Sequence, residues 1–318
     1  MRCIVFSIVV LCAFTCTARA EEDLAGLNYL EQLALHEKET FANIGAYSLS
    51  YDQHTENRSG IGPDRLDSHL VVTRSGNLLN VVRQLTRTAS PDGELPAASQ
   101  EVRLSVNPEQ IAQYSITSNS NTVNLWQYND EKELPSVARS LKNNLVDMPM
   151  RSVAFGNGDG SYSDIFEEAK ATKRWKIFVS TPNRDGQVVM AFMERRNEKD
   201  VPAFEMKIDT QRGNIALESH IYTTDGKVDR ALSCVPVEVR PGLWLPASWD
   251  CRSFDEIGTG VEEKTQATAV EYKLNQSFPD DFFSYLSLGI PNDTPVYRHG
   301  GPSGSEELKY VDGALIVH

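Results

Sequence analysis

The sequence is short of everything that announces a reaction. It has five cysteines, six histidines and fifteen prolines in 318 residues, and none of the cysteines forms the Cys-x-x-Cys pair of a redox or zinc site. His36, His54, His69, His220, His299 and His318 occur in neither a His-x-His nor an HExxH arrangement, so no zinc-protease helix is encoded. "GGPSGS" at 300–305 lacks the Lys and following helix of a phosphate loop, and it does not read G-x-S-x-G. Neighbouring acids such as Asp280-Asp281 and Glu262-Glu263 point to opposite faces of a strand, so they make no catalytic carboxylate pair. No catalytic residue, metal site or cofactor is expected. Cations are also scarce: 31 Lys and Arg stand against 44 Asp and Glu, a net charge of −13. Such a chain is repelled by nucleic acid and by anionic membrane surfaces.

Long apolar runs are absent after the first twenty residues. Those twenty read "MRCIVFSIVVLCAFTCTARA". A positive Arg2, a mostly apolar stretch from Cys3 to Cys16 and the small-residue site Ala18-Arg19-Ala20 form the three parts of a secretory leader. A lipid-anchored Cys16 would want small residues before it, where Phe14-Thr15 stand. The expectation is a leader over 1–20, cleavage near Ala20, and an exported chain, periplasmic or extracellular, with no transmembrane segment. Losing Arg2 and Arg19 takes the balance to 29 basic against 44 acidic residues, net −15.

What is present is periodicity. Residues 22–44 carry Leu27, Leu30, Ala34 and Phe41 near one helical face, with Leu24 and Leu33 beside it. Gly45 ends that pattern. Alternation then takes over: "AYSLSYD", "HLVVT" and "NLLNVVRQLT" about Ser75-Gly76-Asn77, then "QEVRLSV" and "NTVNLWQY". "ELPSVARSLKNNLV" reads as a second helix, with Pro135 in its first turn. "DIFEEAKA" reads as a short helix capped by Asp164, with Glu167 three positions on. The preceding "NGDGSYSDIFEE" has Tyr162 where a calcium loop needs Gly, which argues against an EF-hand.

From about 172 the chain is strand after strand, separated by Asn183-Arg184-Asp185-Gly186, Gln211-Arg212-Gly213-Asn214 and Asp225-Gly226. Short turns imply antiparallel pairing, because parallel strands need long crossovers. The class is α+β: one curved antiparallel sheet with a few helices.

Two cysteines follow the leader. Cys234 and Cys251 flank Pro241-Gly242, a strong turn pair. Export and facing strands favour a structural disulfide Cys234–Cys251, closing a loop worth about 3 kcal/mol on the chain-entropy model. Free thiols, or metal or redox use, are the alternatives. Trp126, Trp175, Met190, Phe192, Phe204 and Met206 are large apolar residues on alternating positions. They are the candidate lining of an apolar ligand cavity. The competing reading packs them against the helices as ordinary core.

The last third of the chain resembles a known family. "FEMKIDTQRGNIALESHIYTTDGKV", "GLWLPASWDCRSFD", "TQATAVEYKLN", "FPDDFF", "NDTPVYRHG" and "YVDG" follow one another. Together they resemble exported bacterial proteins of the LolA-like, outer-membrane lipoprotein-sorting-like group, in its planctomycete-type members. An acid-x-x-x-Gly turn and a Gly-x-Trp-x-Pro strand start, here Gly242, Trp244 and Pro246, carry the likeness. The closing segment, Asp293-Thr294-Pro295-Val296-Tyr297, matches in part. The resemblance implies an incomplete antiparallel β-barrel wrapped over helices, able to hold an acyl chain. It supplies no catalytic motif.

The domains expected are the leader over 1–20, a single half-barrel domain over 21–291, and a C-terminal extension over 292–318 with a last strand. The function expected is a periplasmic binding or carrier protein for lipid or a lipoprotein acyl chain. The alternative is a non-enzymatic envelope partner-binding or structural protein whose barrel is filled.

Overall fold

The structure, a computed structural model, describes residues 25–40, 42–57, 65–76, 78–87, 98–128, 161–196, 199–254, 260–279, 281–301 and 304–317. The leader and the helix expected at 134–145 lie outside the described residues.

Helix α1 covers residues 25–40, with 42–44 also helical. Its apolar stripe is buried as the spacing predicts: Leu30, Leu33 and Ala34 are all under a tenth exposed. Gly45 follows with φ +66°, a left-handed residue that glycine adopts without strain. Helix α2, Tyr162–Thr172, begins two residues before the expected start. Its N-cap is Ser161, not Asp164. Ser161 accepts from the Asp164 N–H, and the Asp164 carboxylate accepts from the Ser161 N–H, a capping box with Asp in the Glu position.

Sixteen strands are found among the described residues. They are β1 Tyr47–Asn57, β2 Arg65–Ser75, β3 Leu78–Arg87, β4 Ala98–Asn107, β5 Gln110–Thr117 and β6 Asn121–Gln127 before α2. After it come β7 Trp175–Val179, β8 Gln187–Arg196, β9 Lys199–Asp209, β10 Ile215–Tyr222, β11 Val228–Arg240, β12 Leu243–Phe254 and β13 Val261–Leu274. The last three are β14 Pro295–Gly301, β15 Gly304–Val311 and β16 Ala314–Val317. Among the described residues the sheet does not close and β7 and β16 are its end strands, so the expected α+β class with an unclosed antiparallel sheet is met. Register shifts at Ser50/Tyr51, Ala216/Glu218 and Phe192/Met193 mark bulges, which bend and twist a strand.

The chain divides into two compact units. One contains α1 to residue 40, α2, β7 to β11 and the two ends of β12. Its sheet order is β11-β10-β9-β8-β7, all antiparallel through turns of a few residues. Its core lies between that sheet and the two helices. Gly26 is where α1 comes closest, since a Cβ there would lie 2.1 Å from the Ile177 carbonyl oxygen. The acid-x-x-x-Gly turn is Asp209 to Gly213. The Asp209 carboxylate, 4% exposed, accepts from the Gln211 and Arg212 N–H groups at 3.0 and 3.1 Å, and Gly213 takes φ +67°. At the Gly-x-Trp-x-Pro segment, Gly242 turns the chain at φ +77° and Trp244 lies under the Arg212 guanidinium at 5.4 Å.

The other unit contains β1 to β6, β13 to β16 and Ala247–Asp250. Its order is β16-β15-β14-β6-β5-β4-β3-β2-β1-β13. One pairing departs from the antiparallel rule: β14 runs parallel to β6, Val296 opposite Val123. These strands are separated by most of the chain, so no short turn constrains their direction. A 3-10 turn, Tyr285–Leu288, packs Leu288 with Ile290, Tyr114 and Leu125. Arg103, Asn80 and Asn107 tie this segment down by donating to the carbonyls of Leu288, Phe282 and Phe283.

Candidate functional site

Five of the six proposed lining residues meet in the helix-bearing unit. Direct cross-strand pairs set them face to face: Met190 opposite Met206 and Phe192 opposite Phe204. Trp175 on β7 joins them edge-on to Phe192, centroids 5.6 Å apart, and Phe192 lies 5.4 Å from Phe204. Period-two alternation puts all five on one sheet face. That face is covered by Leu30, Leu33 and Ala34 of α1 and by Tyr162, Ile165 and Ala169 of α2. Met190 and Phe192 have no exposed surface. Burying a side chain of this size contributes about 1.5–3 kcal/mol.

A polar group of four sits in the same unit. Glu37 of α1 is buried, and its Oε2 accepts from the Ser163 N–H in the first turn of α2 at 3.3 Å. A carboxylate there also meets the positive end of the helix dipole. The Tyr162 hydroxyl donates to the Asn214 carbonyl at 2.8 Å. Burial, then the neighbouring Glu37, Tyr29 and Cys234, raise its pKa well above the usual tyrosine value. Burial likewise raises Tyr29 and pushes the Cys234 thiol up to about 12.

No disulfide joins Cys234 and Cys251; both are half-buried. β11 stops at Arg240 and β12 starts at Leu243, a two-residue turn at the expected Pro241-Gly242 pair.

Trp126 lies elsewhere, on β6 in the other unit. Its indole stacks on His299 of β14, centroids 5.2 Å apart at 21°. His299 bonds on both ring nitrogens, Nδ1 to Ser305 Oγ at 3.0 Å and Nε2 to Asn124 Oδ1 at 3.1 Å. Two more histidines pair with carboxylates across β1 and β2: His54 with Asp67 at 2.6 Å and His69 with Asp52 at 2.7 Å. The second nitrogen of His54 faces Glu56. These groupings are invisible in sequence, because each includes a partner at least 13 positions away: 13 for His54 and Asp67, 17 for His69 and Asp52, and 175 for His299 and Asn124. Among the described residues no cluster of His, Cys, Asp and Glu could hold a metal ion. The calcium-loop reading lies partly outside the described residues, and Ser161 is committed to the α2 cap.

No protein-family profile matches the chain, and no curated protein matches it. Solved structures similar to it include a DUF1329 family protein from Desulfovibrio piger, with 11% identity, 84% of this chain and 99% of that chain covered, and a TM-score of 0.43. Another is the LolA superfamily protein NE2245 from Nitrosomonas europaea, with 11% identity, 81% and 98% coverage, and a TM-score of 0.39. A third is a domain described as that of an outer membrane lipoprotein-sorting protein from Vibrio parahaemolyticus, with 12% identity, 81% and 97% coverage, and a TM-score of 0.40. No helix among the described residues is long and apolar enough to cross a membrane.

Proposed function

We propose that the chain is an exported envelope protein that binds an apolar ligand, a lipid or lipoprotein acyl chain, on the sheet face beneath α1 and α2. The observation that supports this is the composition of that face: Trp175, Met190, Phe192, Phe204 and Met206 form a continuous apolar surface with two unbranched, adaptable Met side chains at its centre. The sequence resemblance to lipoprotein-sorting-like proteins points the same way. The face is fully covered, so an acyl chain enters by taking the place of the α1 leucines. Apolar contact is exchanged for apolar contact, which keeps the cost of lifting the helix low.

The test is quenching by a brominated fatty acid. Dibromostearate should quench tryptophan fluorescence in the wild type and in Trp126→Phe, and most of that quenching should vanish in Trp175→Phe. Quenching that is absent, or indifferent to Trp175→Phe, contradicts the reading.

One observation favours the alternative of a filled, partner-binding barrel. Val235 and Val237 on β11 are 60% and 37% exposed, apolar surface turned outward while the interior is closed. Under that reading dibromostearate leaves the fluorescence unchanged.

A further inference from the structure

His299, Ser305 and Asn124 form a serine–histidine–amide hydrogen-bond chain like that of a hydrolytic triad, with the roles of the two ring nitrogens exchanged: Nδ1 meets the serine and Nε2 the orienting amide. Asn124 Oδ1 only accepts, so the proton on the imidazole must reside on Nε2, 3.1 Å away. Nδ1 is then the lone-pair nitrogen, and the bond at 3.0 Å runs from the Ser305 hydroxyl to it. A serine donating to a neutral imidazole, itself oriented through its other nitrogen, is the activated-nucleophile arrangement.

The fold builds this deliberately placed geometry from three strands. Parallel pairing sets His299 opposite Trp126 and places Asn124 two residues back on the same face. In the β14–β15 hairpin, Arg298 stands opposite Glu306, and the register then jumps to Gly301 opposite Gly304. The jump is a bulge, which re-aims side chains and recurs beside active sites. The register of Arg298 with Glu306, continued by one residue, sets Ser305 alongside His299 before that shift. Trp126 stacks at 21° and fixes the plane of the ring. Ser305 itself is exposed, so a substrate can reach it. The His54 pair lacks this form, since its two nitrogens face Asp67 and Glu56 and no hydroxyl.

We infer that Ser305, His299 and Asn124 form an acyl-transfer site that cleaves carboxylic esters. Ser305 Oγ forms a bond to the acyl carbon and passes its proton to His299 Nδ1. The ester C–O bond breaks and the departing alkoxide takes that proton. Water then attacks the acyl-serine, losing a proton to Nδ1, and the proton returns to Ser305 as the carboxylic acid leaves. Asn124 carries no charge to support the protonated ring. The site therefore suits esters, with their better leaving groups, over amides. This inference does not rest on the acyl-binding face of the other unit, and it departs from the expectation that the chain has no catalytic residue.

The experiment uses the exported chain, a biotinylated fluorophosphonate and p-nitrophenyl acetate. The expected result is stoichiometric labelling, mapped to Ser305, together with ester hydrolysis above the buffer rate. Ser305→Ala abolishes the labelling. His299→Ala lowers both rates at least about 100-fold, the usual contribution of a general base. Asn124→Asp keeps activity where Asn124→Ala loses it, which separates orientation of the ring from mere packing. Ser305 is exposed, so its alanine variant should melt like the wild type and serves as the control if His299→Ala unfolds. Labelling at another residue, hydrolysis no faster than buffer, or hydrolysis unaffected by Ser305→Ala would overturn the inference.

Discussion

Asp209 holds a turn together from inside the protein. Its buried carboxylate takes the backbone N–H groups of Gln211 and Arg212. Asp209→Ala should cost about 1.5–3 kcal/mol, the range for hydrogen bonds to a charged group, measured by urea unfolding. Cys234 makes a prediction about pH. Its thiol is held neutral up to about 12 in the fold, whereas an unfolded cysteine ionises near 8.5. Below the unfolded pKa both states keep the proton and nothing is lost. As pH rises through the window between the two values, only the unfolded state ionises, and stability falls by up to about 1.4 kcal/mol per unit. The raised Tyr29 and Tyr162 act in the same direction at higher pH. Melting temperature should therefore fall steeply above pH 9, and Cys234→Ala should flatten the first part of that fall. The acid-x-x-x-Gly turn and the Pro-Gly turn were legible in the sequence because each is made by adjacent residues. The pairing of His299 with Asn124 was not, because it depends on a parallel contact between strands 175 positions apart.

At the scale of elements, α1 and α2 make sharper predictions than any strand. Gly26→Ala would raise helix propensity by about 1 kcal/mol in solution. In the protein the added methyl meets the Ile177 carbonyl at 2.1 Å. The net effect should be a loss of about 1–3 kcal/mol, the range for overpacking, visible as a lowered urea midpoint. Ser161→Ala should cost about 1 kcal/mol through the lost cap. The apolar stripe of α1 was readable because its period is local. The start of α2 was misread for a specific reason: Asp164 is a good cap by type, but Ser161 stands three residues earlier and uses Asp164 as its partner. The strand faces at Trp175, Met190 and Phe204 followed alternation. What alternation cannot give is which strands are neighbours, and so Trp126, patterned like the other five, belongs to another unit.

On the scale of the whole molecule, the proposed binding reduces to one exchange: the leucines of α1 for an acyl chain on the face of Met190, Phe192, Phe204 and Met206. The net charge of −13 repels anionic membrane surfaces, so the proposed loading depends on apolar contact and not on attraction to lipid headgroups. The most direct measurement is native mass spectrometry of the purified chain, before and after incubation with phospholipid vesicles. A population heavier than the bare chain by a single acyl lipid is expected, and collisional activation should release it as that lipid. A spectrum containing only the bare chain under both conditions would contradict the proposed exchange.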